Sequence, residues 1–411
     1  MGCIQKKKRH SLNIFELADK QAEQILKITK IKKTTQIKVL EGSYLKITEA
    51  QKYRNNINIH KNTFEISLIA EGNTNYEEDK HQCSLFTLIS DIDTIQKLQI
   101  ETQTNIQLNP QSYLFLEKVF HKLDKLFMLS FIIGFNNKLG VEGSKNLSHS
   151  ILQCSNLRYL VLKIMDNNLL GSEGGKHIGE SFQNCKHLEK LEYTINYGNK
   201  ISIQGGQSLS KSLLKCHQLK QIKLIIESDN ELEPQGGIAI GQGLKSCSNL
   251  IDLYIDIGKN NIGQEGVSQI GMSLQSMQNL QSLDLNIQNN NMQEAGSIKL
   301  SEGIKELQQL LSLKLSIGHY NNIQEKGALS IFKSFANLHK LQIFVFRLGQ
   351  LNYIQQKSLA LLGLSLKGLK NLQYCIVSLI KHENNLFNDQ SHLQNKIKHS
   401  PKLINFCMYL S

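Results

Sequence analysis

A chain of 411 residues with 40% apolar content can bury a sizeable core, and its three prolines leave no room for a proline-rich linker. Net charge is +12, but residues 1–60 hold 13 Lys/Arg against 5 Asp/Glu, so the rest is nearly balanced, which argues against a nucleic-acid groove along the body of the chain. Four arginines make a poor set for phosphate recognition, and the longest apolar-rich run, residues 126–135, is half the length of a membrane span.

The chain opens MGCIQKKKRH. This resembles the start of dually acylated proteins, with myristate on Gly2 and palmitate on Cys3. Two chains, or one chain plus a basic patch such as Lys6–Arg9, are what stable anchoring requires. Lys6 departs from the usual Ser or Thr at that position. The rival reading is a basic start in which the Gly-Cys pair has no role. Ile14, Leu17, Ile25, Leu26, Ile28 and Ile31 among lysines predict a basic amphipathic helix, read as a cap on the body of the chain rather than a membrane-surface helix. No secretory leader precedes the eight cysteines, so reduced thiols and a cytoplasmic protein are expected, with membrane association on the cytoplasmic face if Gly2 and Cys3 carry lipid. Residues 1–34 thus form a basic N-terminal segment. Residues 35–94, with alternation at Phe64, Ile66 and Leu68, read as a capping or degenerate repeat region.

From Ile95 onward a period emerges. In residues 250–277 (LIDLYIDIGKNNIGQEGVSQIGMSLQSM), Leu253, Ile255 and Ile257 alternate as in a half-buried strand. Asn260 to Gly263 make a turn, and Ile270, Leu274 and Met277 share one helix face. The strand position recurs at Leu98, Leu129, Leu160, Leu191, Ile222, Leu253, Leu283, Leu313 and Leu341, at steps of 31, 31, 31, 31, 31, 30, 30 and 28. Cys375 follows after 34 and Phe406 after 31. Such a period marks a solenoid in which no unit can bury both its faces alone.

The pattern L-x-x-L-x-L-x-I, then Asn-Asn-Ile-Gly and Glu-Gly before a helix, stands as LRYLVLKIMDNNLLGSEGG from Leu157 and LIDLYIDIGKNNIGQEG from Leu250. It resembles leucine-rich repeat proteins of the ribonuclease-inhibitor-like type over residues 95–411, about ten to eleven repeats. The resemblance implies an α/β right-handed horseshoe with a parallel sheet on the concave face and helices on the convex one. Strands spaced about 4.8 Å apart against helices about 10 Å apart imply the same curvature. In the family consensus an Asn follows the second Leu by five residues. Asn261 follows Leu253 by eight, so the family's stacked asparagines are not expected to carry over.

No catalytic, nucleotide or metal motif stands out. Cys154, Cys185, Cys216 and Cys247 recur 31 apart, which makes a row rather than a tetrahedron, and they read as a buried column. The chain has no C-x-x-C, H-x-x-x-H or H-E-x-x-H, and Gly171 to Gly175 is repeat-turn material. No enzyme, cofactor, metal, specific nucleic acid or small-molecule substrate is expected. The strand positions between the core residues vary: Val161 and Lys163, Glu192 and Thr194, Lys223 and Ile225, Tyr254 and Asp256, Asp284 and Asn286, Lys314 and Ser316, Gln342 and Phe344. Among them Tyr254, Asp256, Asp284, Asn286, Lys223 and Lys314 form the candidate protein-binding patch. The function expected is that of a non-enzymatic interaction scaffold with a protein partner. The alternative, regulation of a small GTPase, is implied only by the resemblance.

Overall fold

The computed structural model describes residues 35–38, 64–70, 95–102, 104–105, 110–380, 403 and 405–410. Gly2, Cys3 and the helix expected within residues 14–33 lie outside the described residues. The chain divides into two compact units, Met1–Gln36 and Ile37–Ser411, and strand β1 (Thr35–Lys38) falls on the division.

The second unit is a stack of strand–helix repeats. Strands β2 (Phe64–Ala70) and β3 (Ile95–Thr102) come first. Helices then alternate with strands: α1 (Pro110–Phe120), β4 (Met128–Ile133), α2 (Gly140–Leu152), β5 (Tyr159–Ile164), α3 (Gly171–Glu180), β6 (Lys190–Ile195), α4 (Ser202–Leu213) and β7 (Gln221–Ile226). They continue as α5 (Glu233–Lys245), β8 (Asp252–Asp256), α6 (Gly263–Leu274), β9 (Ser282–Asn286), α7 (Gln293–Ile304), β10 (Ser312–Gly318), α8 (Gln324–Phe335), β11 (Ile343–Leu348), α9 (Gln356–Lys367), β12 (Tyr374–Leu379) and β13 (Asn405–Leu410). Strands β2 to β13 lie side by side in chain order, each parallel to the next. The fold is an α/β solenoid. Its register reaches back before Ile95, since Ile66 pairs with Leu98 and Leu68 with Ile100.

Strands β3 to β12 send alternate side chains into a continuous core. Leu253, Ile255 and Ile257 are buried, as are Val267, Ile270 and Leu274 of α6, which cover them. Consecutive helices pack on one another through glycine. A Cβ on Gly303 would lie 2.1 Å from the carbonyl oxygen of Gly271, and one on Gly271 would lie 2.4 Å from that of Lys299. These backbones therefore touch, which narrows the gap between helix and strand spacing that makes such a stack curve.

Two expectations are corrected. The strand residue after Leu313 is Phe344, not Leu341. Leu313 pairs with Phe344, Phe344 with Cys375 and Cys375 with Phe406, so the steps are all 31. The irregular 28 and 34 arise because Leu338-x-x-Leu341 fits the same pattern as Leu341-x-x-Phe344.

Stacked asparagines do form, and the residue in the turn after β8 is Asn260, not Asn261. Asn137, Asn168, Asn199, Asn230, Asn260, Asn290, Asn321 and Asn352 are all buried. In most repeats the Asn follows the strand leucine by eight residues, as Asn168 follows Leu160. The two repeats begun by Leu253 and Leu283 are one residue shorter before the turn. Asn290 shows the bonding. Its Oδ1 accepts the N–H groups of Asn260 (3.1 Å) and Ile262 (3.2 Å), and its Nδ2 donates to the carbonyls of Ile257 (2.9 Å) and Gln288 (3.3 Å). Its own carbonyl accepts from Gly263 at the start of α6 (3.0 Å), where no side chain caps the helix. On its first-repeat side the row ends at Thr102, whose Oγ1 accepts from Asn137 Nδ2 at 2.8 Å. Left-handed residues flank each asparagine, as Lys259 (φ 57°) and Asn261 (φ 53°) flank Asn260. Asn261 therefore shapes the turn, and Asn260 satisfies the backbone inside it.

Candidate protein-binding face

The strand side chains that point away from the helices form rows across the sheet. Register places Lys223 beside Tyr254, Tyr254 beside Asp284, and Asp284 beside Lys314. The next row holds Ile225, Asp256, Asn286 and Ser316. The six residues singled out from sequence thus converge on β7 to β10, on one face, within strand spacings of about 4.8 Å. The last expected pair does not belong there. Phe344 is buried in the core, and Val345 and Arg347 take the row positions beside Lys314 and Ser316.

The first row is held together electrostatically. Lys223 Nζ lies 5.7 Å from the centre of the Tyr254 ring, within cation–π range, and 2.9 Å from Glu192 Oε1. Glu192 also accepts from Lys163 at 2.9 Å, so two ammonium groups share one carboxylate. Burial pushes the Glu192 carboxyl up, but the hydrogen bonds from Lys163 and Lys223 outweigh it and hold it below the usual carboxylate range. Asp284 shows the reverse balance. Burial raises it above its usual value despite Lys314 at 3.5 Å. Lys314 and, more weakly, Arg347 offset only part of that burial, so a cationic or hydrogen-bonding group arriving from outside would stabilise the Asp284 carboxylate further.

Asp256 and Asn286 have a local duty as well. Each side-chain Oδ1 accepts the N–H two residues on, from Gly258 and Gln288, both at 3.3 Å. These Asx turns set the chain leaving the strand. Lys163 and Glu192, outward positions in the sequence reading but not counted in the patch, brace Lys223, and Arg347, which sequence reasoning missed, donates from Nη1 to Ser316 Oγ at 3.5 Å. Register places Arg347 beside Ser316 and would have found it.

The cysteines form the expected buried row. Cys185 Sγ donates to the Cys154 carbonyl and Cys216 Sγ to the Cys185 carbonyl, each at 3.5 Å. Burial pushes Cys154 up to about 12 and Cys247 up to about 11, against the mild lowering by Ser246 at the latter. Neutral thiols without access to solvent are packing groups rather than nucleophiles. Among the described residues no three His, Cys, Asp or Glu converge as a metal site would require, and no helix is long and apolar enough to cross a membrane. No family model matches the chain, and no curated protein matches it.

Proposed function

We propose that the protein is a non-enzymatic scaffold, a leucine-rich repeat protein of the ribonuclease-inhibitor-like type, that binds a protein partner on the outward face of its sheet. The observation that carries the binding surface is the row Lys223–Tyr254–Asp284–Lys314. It presents an aromatic ring and charges of both signs on rigid strands, while the inward positions of the same strands are uniformly aliphatic. Strand-borne groups lose little freedom on binding, and tyrosine is among the residues that dominate interface energy. The repeat type is supported by the L-x-x-L-x-L spacing and by the asparagine that closes each turn.

Photo-crosslinking tests this reading. With benzoyl-phenylalanine in place of Tyr254, full-length protein in its own cells should form a discrete adduct with another protein. With the same group in place of Met272, an exposed residue on helix α6, it should not. Adducts from Met272 alone would place binding on the helical side and end the proposal.

A further inference from the structure

We propose that the face takes a lysine- and arginine-rich extended segment of its partner, held at the edge where strands β5 to β8 run into their turns; this rests on the reading of the face as a protein-binding surface.

Residues 227–233 read ESDNELE, four carboxylates in seven positions, whereas the matching turns of the neighbouring repeats read MDNNLLG, NYGNKIS and GKNNIG. Glu231 pairs with Lys200 at 3.5 Å and Glu233 accepts from Asn261 Nδ2 at 2.5 Å, whereas the carboxylates of Glu227 and Asp229 accept from the backbone and phenol of Tyr197. Glu227 and Asp229 have no cationic partner among the described residues, nor do Asp166 on the β5 side and Asp256 at the end of β8. The charges lower on the same strands behave differently. Lys163 and Lys223 share Glu192, and Arg158 and Lys220 share Glu189, so each carboxylate there is fully paired and each trio keeps one positive charge. Uncompensated negative charge is thus gathered at one edge.

A second observation points to a ligand there. Thr194, on the outward row of β6 beside Ile225, is only 5% exposed, yet its hydroxyl has no hydrogen-bond partner. It lies diagonally below Glu227, and a buried hydroxyl left unpaired is disfavoured unless something arrives to meet it. Asp166 Oδ1 is likewise enclosed and unpartnered. Tyr197, 44% exposed, stands over the edge with its phenol donating to Asp229, and its ring offers a surface for a guanidinium. Burial raises the Glu227 carboxyl above its usual value against a backbone hydrogen bond from Tyr197, and Asp166 and Asp256 add to the rise; an incoming cation would relieve the repulsion among the three carboxylates.

The spread of these groups selects the ligand. Carboxylates at the ends of β5, β7 and β8, spread across a span of four strands, do not close around one ion. Three strand spacings come to about 14 Å, which an extended segment of four to five residues spans. Its ammonium or guanidinium groups would meet the carboxylates in turn.

The test uses the full-length protein and a fluorescein-labelled 12-residue peptide alternating Lys and Ser, with a Gln–Ser peptide as control, read by anisotropy at low and high salt. The Lys–Ser peptide should bind, lose affinity as salt rises, and bind at least tenfold more weakly to the triple variant Glu227→Gln/Asp229→Asn/Asp256→Asn. Thr194→Val should weaken it several-fold with an unchanged melting temperature. Glu294→Gln/Glu302→Gln/Glu306→Gln, which removes equal charge from the helical side, should leave it unchanged. Equal binding to both triple variants, or binding of the Gln–Ser peptide as strong as that of Lys–Ser, would overturn the cationic-segment proposal. Crosslinking from Tyr254 separates the two levels. A protein adduct there with no Lys–Ser binding sinks only the choice of ligand, and no adduct there sinks the protein-binding reading itself.

Discussion

Asn290→Ala should destabilise the protein by about 3–4 kcal/mol, since removing one partner of a buried polar group costs about 1–3 kcal/mol and several are orphaned together. The amides of Asn260 and Ile262 and the carbonyl of Ile257 all lose their side-chain partner in a site closed to water. These groups belong to the preceding repeat, so the damage falls between repeats rather than within one. In a stack held by nearest-neighbour terms, such a cut separates the array into parts that open independently. Urea unfolding should therefore show a lower midpoint and a broader transition, and hydrogen exchange should accelerate first in the turns around Asn260 and Asn290. Asn279→Ala, at an exposed turn, should stay within about 0.5 kcal/mol of wild type. An Asn290→Ala protein as stable as the Asn279→Ala control would show that the asparagine row contributes shape without stability.

Phe335→Ala should cost about 3–5 kcal/mol, the range for truncating a buried aromatic side chain. Phe335 sits at the centre of a ring cluster in the repeats of β11. Its ring meets Phe344 edge-on at 5.0 Å, Phe346 at 5.8 Å and Phe332 at 6.2 Å, and all four rings are fully buried. Such tilted and edge-on pairs add to the burial term. The methyl left behind fills little of the space, and three of the cavity walls are rigid rings, which limits collapse. Calorimetric melting of wild type and variant measures the effect. Phe335→Leu should recover more than half of the loss, because it restores most of the buried volume.

The same cluster shows where the sequence is ambiguous. Leucine at every third position satisfies the strand pattern in two frames, because Leu338, Leu341 and Phe344 are equally spaced. Only the neighbour decides. Phe344 belongs beside Leu313 because the parallel ladder requires it, and the outward pair moves to Val345 and Arg347. Elsewhere the period was legible because each repeat commits the same aliphatic positions to one core, so an error in one is corrected by the next. The asparagine row was hidden for a related reason. Adjacent Asn260 and Asn261 look alike as letters, but one faces the core and the other takes the left-handed turn, and a one-residue shortening upstream exchanges their positions in any fixed count.

The candidate face was legible only in part. Alternation alone brought Lys223, Tyr254, Asp256, Asp284, Asn286 and Lys314 to one side. Which charges are spent within the protein depends on side-chain reach between neighbours 31 positions apart, as with Glu192 between Lys163 and Lys223. The acidic turn at residues 227–233 does not stand out from the sequence read by itself. Its importance came from the neighbouring repeats, which supply no cation to Glu227, Asp229 or Asp256 and leave Thr194 buried without a partner.

Binding through the outward face is tested most directly by the affinity of the protein recovered through Tyr254 for wild type and for a Tyr254→Ala/Lys314→Ala variant, both at full length. Loss of an aromatic anchor and its flanking charge should weaken binding at least tenfold, a change of about 1.4 kcal/mol or more, while the melting temperature stays within a few degrees. An unchanged dissociation constant with the variant still folded would contradict the assignment of this face as the binding surface.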